Sequence, residues 1–294
     1  MKNKLSKALI SAVIPAYNEE SVIKDCLESL LNQSYKNLEI IVIDDGSIDS
    51  TREIVKKFKK VKLVHGEHKG PGFSRNLGAK IAKGKILVFV DADMAFDKKY
   101  IEYLVSPILE GKSIGTEERF QKASNLNNVW SRCWGSYVSG DRKNKENKGI
   151  VFRAILKSKF LEMGGFDSKY GYADDLTFFF KYGVLSDLAD NALCFHKNPE
   201  SLEEIYKQSR WIGASRFVYY PILGKKAAFP LIFILGIPAL IPLTFYLFLR
   251  RILTKRFIPE KPEDLISLLL FSFVKVYGTF VGILRRNLKG FNYR

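Results

Sequence analysis

Apolar residues in this chain follow two rhythms. Short apolar runs, Leu9 to Ile14, Leu38 to Ile43, Val61 to Val64 and Ile86 to Val90, each close on polar or acidic residues, as buried strands do. Between them the spacing becomes helical: Glu19 to Leu31 places Val22, Ile23, Cys26, Leu27, Leu30 and Leu31 on one face, with acidic residues in the first turn where the helix dipole favours them. Ser47 to Thr51 supplies capping residues for a helix to about Lys59, and Phe73 to Ala82 predicts a third. This alternation predicts an α/β fold, with a Rossmann-like, mostly parallel sheet flanked by helices.

After a helix near Lys98 to Leu109 the rhythm breaks. A polar segment, a helix around Trp130 and Trp134 and a charged loop from Asp141 to Lys148 precede a strand at Gly149 to Phe152. Leu156 to Met163 and Asp174 to Tyr182 read as helices, Ala192 to His196 as a strand, and Ser201 to Tyr220 as a long helix rich in Tyr, Trp and Arg.

The last third changes solvent. Phe229 to Leu249 contains no charged residue and, at a rise of about 1.5 Å per residue, is long enough to cross a hydrocarbon core of roughly 30 Å. Leu265 to Leu284 is similarly apolar but carries Lys275, which costs about 2.5 to 3.5 kcal/mol at a bilayer midplane. Pro230, Pro238 and Pro242 predict kinks in the first segment, and Lys/Arg pairs flank both. The expected division is a cytosolic domain over 1–224, with halves 1–110 and 111–224, and a membrane-associated region over 225–294 with apolar segments 229–249 and 265–284. Two spans and a re-entrant hairpin both remain open. Gly278 and Gly282 form a small-residue pattern compatible with packing between helices, including a homo-oligomer through the tail.

Charge adds to this picture. Lys plus Arg total 47 against 31 for Asp plus Glu, a net +16 over 294 residues. Such a balance suits nucleic acid, an anionic membrane or a phosphorylated substrate, and its concentration beside apolar segments favours phospholipid over nucleic acid. Cys26, Cys133 and Cys194 are widely spaced and flanked by apolar residues, so buried thiols of a reducing compartment are expected. The N-terminal apolar run is short and closes on Pro15 without a cleavable signal pattern, which places the front of the chain in the cytosol.

The candidate chemistry lies where strands end. Asp44 and Asp45 follow one strand, and Asp91 and Asp93 another, at the carboxyl edge where open α/β sheets bind ligands. Carboxylates there suit a divalent metal and a nucleotide.

Three segments in order, Val13-Ile14-Pro15-Ala16-Tyr17-Asn18-Glu19-Glu20, Asp44-Asp45-Gly46-Ser47-Ile48-Asp49-Ser50-Thr51 and Asp91-Ala92-Asp93, resemble the nucleotide-binding half of the family-2 glycosyltransferases of the type-A fold. Gly164-Gly165-Phe166-Asp167 and Asp174-Asp175 resemble that family's acceptor half, so the likeness runs from about Leu9 to about Trp211. The resemblance implies a nucleoside-diphosphate sugar as donor, with Pro15, Ala16, Tyr17, Glu19, Asp45, Arg75 and Asp91 around the nucleotide. It implies Mg²⁺ or Mn²⁺ on Asp93 and Asp91, with His196 at a strand end as a further ligand. Asp175 would be the catalytic base, with Asp174 beside it, and Gly165, Phe166 and Trp211 would face the acceptor. Lys207-Gln208-Ser209-Arg210-Trp211 resembles the Gln-Gln/Arg-x-Arg-Trp motif of membrane polysaccharide synthases with Lys207 in place of Gln, giving Arg210 a role on the departing diphosphate.

The implied function is a membrane-bound inverting glycosyltransferase, catalytic on the cytoplasmic side of the cell membrane, acting on a lipid-linked or cell-envelope glycan acceptor. Two alternatives stand beside it. A sugar nucleotidylyltransferase would need a Gly-rich triphosphate loop, which Val13 to Glu20 lacks, and a non-catalytic nucleotide-binding membrane scaffold would be expected to have lost Asp93 or Asp175.

Overall fold

The apolar runs form the parallel half of one ten-stranded sheet in the computed structural model, which describes residues 8–135, 137–139, 148–215 and 228–289. In chain order β1 (Ile10–Ala16), α1 (Ile23–Leu31), β2 (Leu38–Asp44), α2 (Thr51–Lys56), β3 (Val61–His65), α3 (Pro71–Ile81) and β4 (Ile86–Phe89) alternate as expected. Next come β5 (Met94–Phe96), α4 (Tyr100–Leu109), β6 (Gly115–Ala123), α5 (Val129–Trp134), β7 (Tyr137–Ser139), β8 (Lys148–Gly149), β9 (Ala154–Leu156) and α6 (Lys157–Glu162). A 3₁₀ segment (Ser168–Leu176), α7 (Thr177–Tyr182), β10 (Ser186–His196), α8 (Leu202–Ala214), α9 (Ala228–Leu253) and α10 (Glu263–Lys289) complete the chain.

The strand order is β3-β2-β1-β4-β9-β6-β10-β5, with β7 on β6 and β8 on β10. β3, β2, β1 and β4 run parallel; β9 is antiparallel to β4 and β6, and β5 is antiparallel to β10. Because side chains alternate across a strand, both faces of β1 and β2 must be covered. Ile10, Ala12, Ile14, Ile40 and Val42 cluster on one side with Ile23, Cys26, Leu27 and Leu30 of α1 and Leu104 of α4. Val13, Ile41, Ile43, Leu87 and Phe89 cluster on the other with Ala79 of α3 and Phe160 of α6.

Two compact units make up the chain. One comprises Met1–Lys122, Val138–Ser168 and Asp174–His196; the other comprises Ala123–Tyr137, Lys169–Ala173 and Lys197–Arg294. The region 111–224, expected as one acceptor half, is divided between them.

Several boundaries differ from expectation for local reasons. α1 starts at Ile23, not Glu19, because the N–H groups of Asn18, Glu19 and Glu20 donate to Ser47 Oγ, Thr51 Oγ1 and Asp49 Oδ2, holding this stretch on the 47–51 loop. β6 lies in the segment read as merely polar. Its Glu117 and Glu118 are buried, Glu117 accepting from the N–H groups of Ile150 and Val151 and Glu118 from Arg153. That same Glu117 contact interrupts the strand expected at Gly149 to Phe152, leaving Lys148–Gly149 and Ala154–Leu156 as separate strands. Residues 141–147 of the expected loop and 216–220 of the expected long helix lie outside the described residues. The three cysteines are free and buried, as read.

In the second unit Cys133, Ile205, Phe257, Leu268 and Phe271 form the core joining α5, α8 and α10. Ser201 caps α8 by accepting from the N–H of Glu204. The small-residue face of α10 is used within the chain: a Cβ on Gly278 would stand 3.0 Å from Tyr206 O, and one on Gly282 would stand 2.1 Å from Arg210 O. Gly278 and Gly282 therefore admit α8 and are not available for a homo-oligomer. Two windows, Gly236–Leu253 and Glu263–Arg286, are long and apolar enough to cross a membrane.

Candidate active site

In the order β3-β2-β1-β4 the chain leaves β1 toward β2 on one side and reaches β4 on the other, which opens a crevice at the carboxyl ends of these strands. Ala16 and Asp44 end their strands side by side in register. Pro15 is half-buried and Ala16 buried, while Tyr17 is 41% exposed with its ring centroid 4.2 Å from that of His68. Tyr17 and His68 thus present a pair of rings, tilted by 38° to each other, at the crevice. Asp45, expected to recognise a nucleobase, has both carboxylate oxygens occupied: Oδ1 accepts from Lys69 N and Ser74 Oγ, Oδ2 from Gly70 N. It shapes the loop that brings His68 against Tyr17, and its own carbonyl oxygen contacts His68 Nδ1 at 2.9 Å.

Beyond this wall lies an arginine–carboxylate network. Arg75, on α3, is buried and reaches Asp91 Oδ1 at 2.5 Å through Nη2 and Asp174 Oδ1 at 2.6 Å through Nη1. Arg153 spans the other oxygen of Asp91 (3.1 Å) and Glu118 (3.2 Å). Asp91 is thereby neutralised from two sides. Burial would raise its pKa, but Arg75 and Arg153 outweigh it and hold Asp91 well below the usual carboxylate range. Burial would also lower the arginine pKa values; Asp174 and Asp91 reverse this at Arg75, as Glu118 and Asp91 do at Arg153. Gly72 permits the arrangement, because a Cβ there would stand 2.7 Å from Asp174 Oδ2, so only glycine lets the first turn of α3 lie against Asp174.

Asp93 and His196 form a second group. His196 Nε2 lies 3.1 Å from Asp93 Oδ2, and Asp93 Oδ1 is buried without a hydrogen-bond partner among the described residues. Burial opposes protonation of His196, yet Asp93 and then Asp91 raise its pKa above the ordinary value. Glu19 is pushed up to about 8 by burial and by the negative charges of Asp93, Asp91 and Asp49. Excess negative charge with an unsatisfied carboxylate oxygen is the environment a divalent cation satisfies, and the carboxylate oxygens suit Mg²⁺ or Mn²⁺. Among the described residues no three His, Cys, Asp or Glu side chains converge as a closed metal cage, so ligand oxygens would complete the shell.

The adjacent aspartates of the 3₁₀ segment have different surroundings. Asp174 is 1% exposed and fixed by Arg75, and its carbonyl accepts from Thr177 Oγ1 at 2.6 Å. Burial raises Asp174 to about 7 against the pull of Arg75, with Asp175 and Asp91 adding like charge. Asp175 is half-buried and has no cation within 4 Å among the described residues. Burial raises its pKa too, opposed by Arg75 and Arg153. Asp175 therefore keeps an oxygen for another partner.

Gly165 and Phe166 take structural positions instead of facing an acceptor. Asn76 clamps Phe166 through both backbone groups, its Nδ2 donating to Phe166 O and its Oδ1 accepting from Phe166 N. A Cβ on Gly165, at φ +70°, would stand 2.6 Å from Asn76 Oδ1, and Phe166 is buried against Phe89, Phe160 and Phe178. Arg210 and Trp211 lie on α8 in the second unit. There the Arg210 guanidinium sits 5.8 Å from the Tyr206 ring, and exposed Trp211 meets Tyr172 edge-on at 5.1 Å. Arg153, Glu118 and His68 enter the site without a motif to mark them. An Arg immediately before the β9 strand run was the one local signal for Arg153.

The family described as Glycosyl transferase family 2 matches residues 11–161, from β1 into α6. An uncharacterized glycosyltransferase of Rickettsia felis is 35% identical over 143 residues, which are 48% of this chain and 24% of that protein. The chain thus spans about a quarter of the length of this curated relative. Among solved structures, S. aureus TarS 1–349 in complex with UDP-GlcNAc aligns with a TM-score of 0.52 and 23% identity, covering 74% of this chain and 68% of that one. The mannosyltransferase PcManGT from Pyrobaculum calidifontis, in complex with GDP-Man and Mn²⁺, aligns with a TM-score of 0.55 and 18% identity over 96% of this chain and 87% of that one. Similarity at this level establishes the type-A fold. With the crevice, the carboxylate pairs and a family match running through the nucleotide half, this chain belongs to glycosyl transferase family 2.

Proposed function

We propose that this protein is a membrane-bound, metal-dependent inverting glycosyltransferase. It moves a sugar from a nucleoside-diphosphate sugar to a lipid-linked or cell-envelope glycan acceptor. The observation that carries this reading is the division of labour in the Asp174–Asp175 pair. Asp174 is locked by Arg75, while Asp175 keeps an uncommitted carboxylate whose pKa is raised, as a general base at neutral pH requires.

The Tyr17–His68 surface supports stacking of the donor base. Asp93 and His196 are the residues that would hold Mg²⁺ or Mn²⁺, while Asp91, expected as a further ligand, has both oxygens on Arg75 and Arg153; the ion when bound would neutralise the diphosphate leaving group. Asp175 takes the acceptor hydroxyl proton as that oxygen bonds to the anomeric carbon. The bond from that carbon to the diphosphate oxygen breaks, and the nucleoside diphosphate leaves. A single displacement inverts the anomeric configuration. The donors bound in the structural neighbours, UDP-GlcNAc and GDP-Man, support this donor class.

Membrane placement rests on α9 and α10, whose outward residues include Ile237, Ile241, Tyr246 and Ile266, each more than half exposed. A continuous apolar face of this kind calls for lipid. The full-length protein is expected to float with liposomes in a density gradient and to require detergent for extraction; a protein soluble without detergent would remove this part of the reading.

The reaction is tested by incubating purified protein with Mn²⁺ and a panel of nucleotide sugars, with and without polyprenyl phosphate, and measuring released nucleoside diphosphate. Acceptor-stimulated release from one donor, with an inverted product by NMR anomeric coupling, is expected. Release from no donor favours the scaffold alternative. Asp93→Asn keeps the shape of the side chain but loses the charge facing the cation, so Mn²⁺ should no longer tighten donor binding in calorimetric titrations.

A further inference from the structure

Among the described residues of the second unit, the buried Arg251 and the half-buried Lys275 have no counter-ion. Arg251, near the end of α9, is 7% exposed. Its Nη2 donates to Trp134 O at 3.1 Å, and its guanidinium lies 4.8 Å from the Phe271 ring, but its Nε and Nη1 are buried with no hydrogen-bond partner among the described residues. Lys275, on α10, places Nζ 3.7 Å from the Trp134 ring centroid and 5.4 Å from that of Phe271. Both cations thus lie against the Phe271 ring and each touches Trp134, Arg251 at its carbonyl and Lys275 at its ring, and among the described residues no carboxylate lies within 4 Å of either. The contrast with Arg132 is direct. That residue, on α5 of the same unit, is paired with Asp264 at 3.0 Å and Glu260 at 3.4 Å.

A buried charge left unpaired costs several kcal/mol, and two of like sign repel each other. Aromatic faces offset part of that cost but supply no acceptor for the free N–H groups of Arg251. An anion with several acceptor oxygens would satisfy both. A guanidinium edge matches two phosphate oxygens, and an ammonium adds a point charge beside them.

We propose that Arg251 and Lys275, backed by Trp134 and Phe271, form a binding site for the phosphate monoester of a membrane lipid. The site lies on α9 and α10, the two helices whose outward faces are apolar, which favours a phosphate carried on a lipid over one free in solution. This inference rests only on the membrane part of the proposed function; the catalytic part is read separately, by donor-dependent release of nucleoside diphosphate in the same samples.

The full-length protein in phosphatidylcholine nanodiscs is titrated with phosphatidic acid, following the intrinsic tryptophan fluorescence and, independently, native mass spectrometry. Saturable binding is expected, weakened about tenfold or more by either Arg251→Gln or Lys275→Met and unchanged by Arg250→Gln, which removes the same charge from an exposed position. Binding of inorganic phosphate, with the same dependence on both residues, would identify the phosphate group alone as sufficient and assign the site to a free anion, overturning the lipid source. Thermal melting without added phosphatidic acid guards against misfolding: removing an uncompensated cation should leave the melting temperature of Lys275→Met unchanged or raised. A lowered melting temperature with unchanged lipid affinity would make Lys275 a structural strut and overturn the proposal. Absence of saturable binding, or binding indifferent to both substitutions, overturns it as well.

Discussion

Arg75→Met should destabilise the protein by about 3 kcal/mol, the scale for removing one partner from a buried ion pair. Arg75 is buried and its guanidinium ties Asp91 at 2.5 Å to Asp174 at 2.6 Å, two carboxylates far apart in sequence. Without it Asp91 retains Arg153, but Asp174 has no other ion-pair partner among the described residues. The sign of the pH dependence follows. Asp174 is already raised to about 7 by burial in spite of Arg75, and loss of Arg75 raises it further. A carboxylate whose folded pKa exceeds its unfolded value contributes stability below the unfolded pKa and loses it as pH rises toward the folded one. The defect of the variant should therefore be larger at pH 8 than at pH 5, measured by thermal unfolding in detergent at both values. Arg75→Lys should recover only part of the loss, because a single ammonium cannot fork between two carboxylates. An Arg75→Met protein as stable as the wild type at pH 8 would mean that the network is not a structural tie.

Much of the parallel half was legible because its signals are local. β1, β2 and β4 are apolar runs that end abruptly in Tyr17, Asp45 and Asp91, so strand positions and the crevice residues were read together. β6 was illegible for the opposite reason: Gly-Thr-Glu-Glu-Arg-Phe-Gln-Lys-Ala has no apolar alternation, and the buried Glu117 and Glu118 are satisfied by residues more than thirty positions away. The same limit applies to the site. Asp93 and Asp175 carry short-range motif information. The tie of Arg153 to Asp91 across β9 and β4, and the turning of Arg75 inward onto Asp174, exist only once the sheet has formed. Position in a motif indicated which residues gather at the crevice; only packing indicated which carboxylates are already spent on arginines.

That distinction sets the strongest test of catalysis. Asp175→Asn should lower sugar transfer by roughly 10²-fold or more, the usual worth of a general base, because the amide cannot accept the acceptor proton. Donor affinity should barely change, since the base in a single displacement faces the acceptor. Asp174→Asn should act differently. It removes the charge that meets Arg75 in a buried pair, so its main effect should be on stability, with kcat lowered less than in Asp175→Asn for the folded fraction. Steady-state kinetics on both variants, with donor binding by calorimetry and the melting temperature of each, separates the two roles. If Asp174→Asn abolishes turnover at an unchanged melting temperature while Asp175→Asn is mild, the base is Asp174 and the ion pair with Arg75 must open during the cycle. If neither substitution affects turnover, the proton is taken by a group outside this pair, and the acceptor side of the proposed mechanism fails while the nucleotide side stands on Asp93.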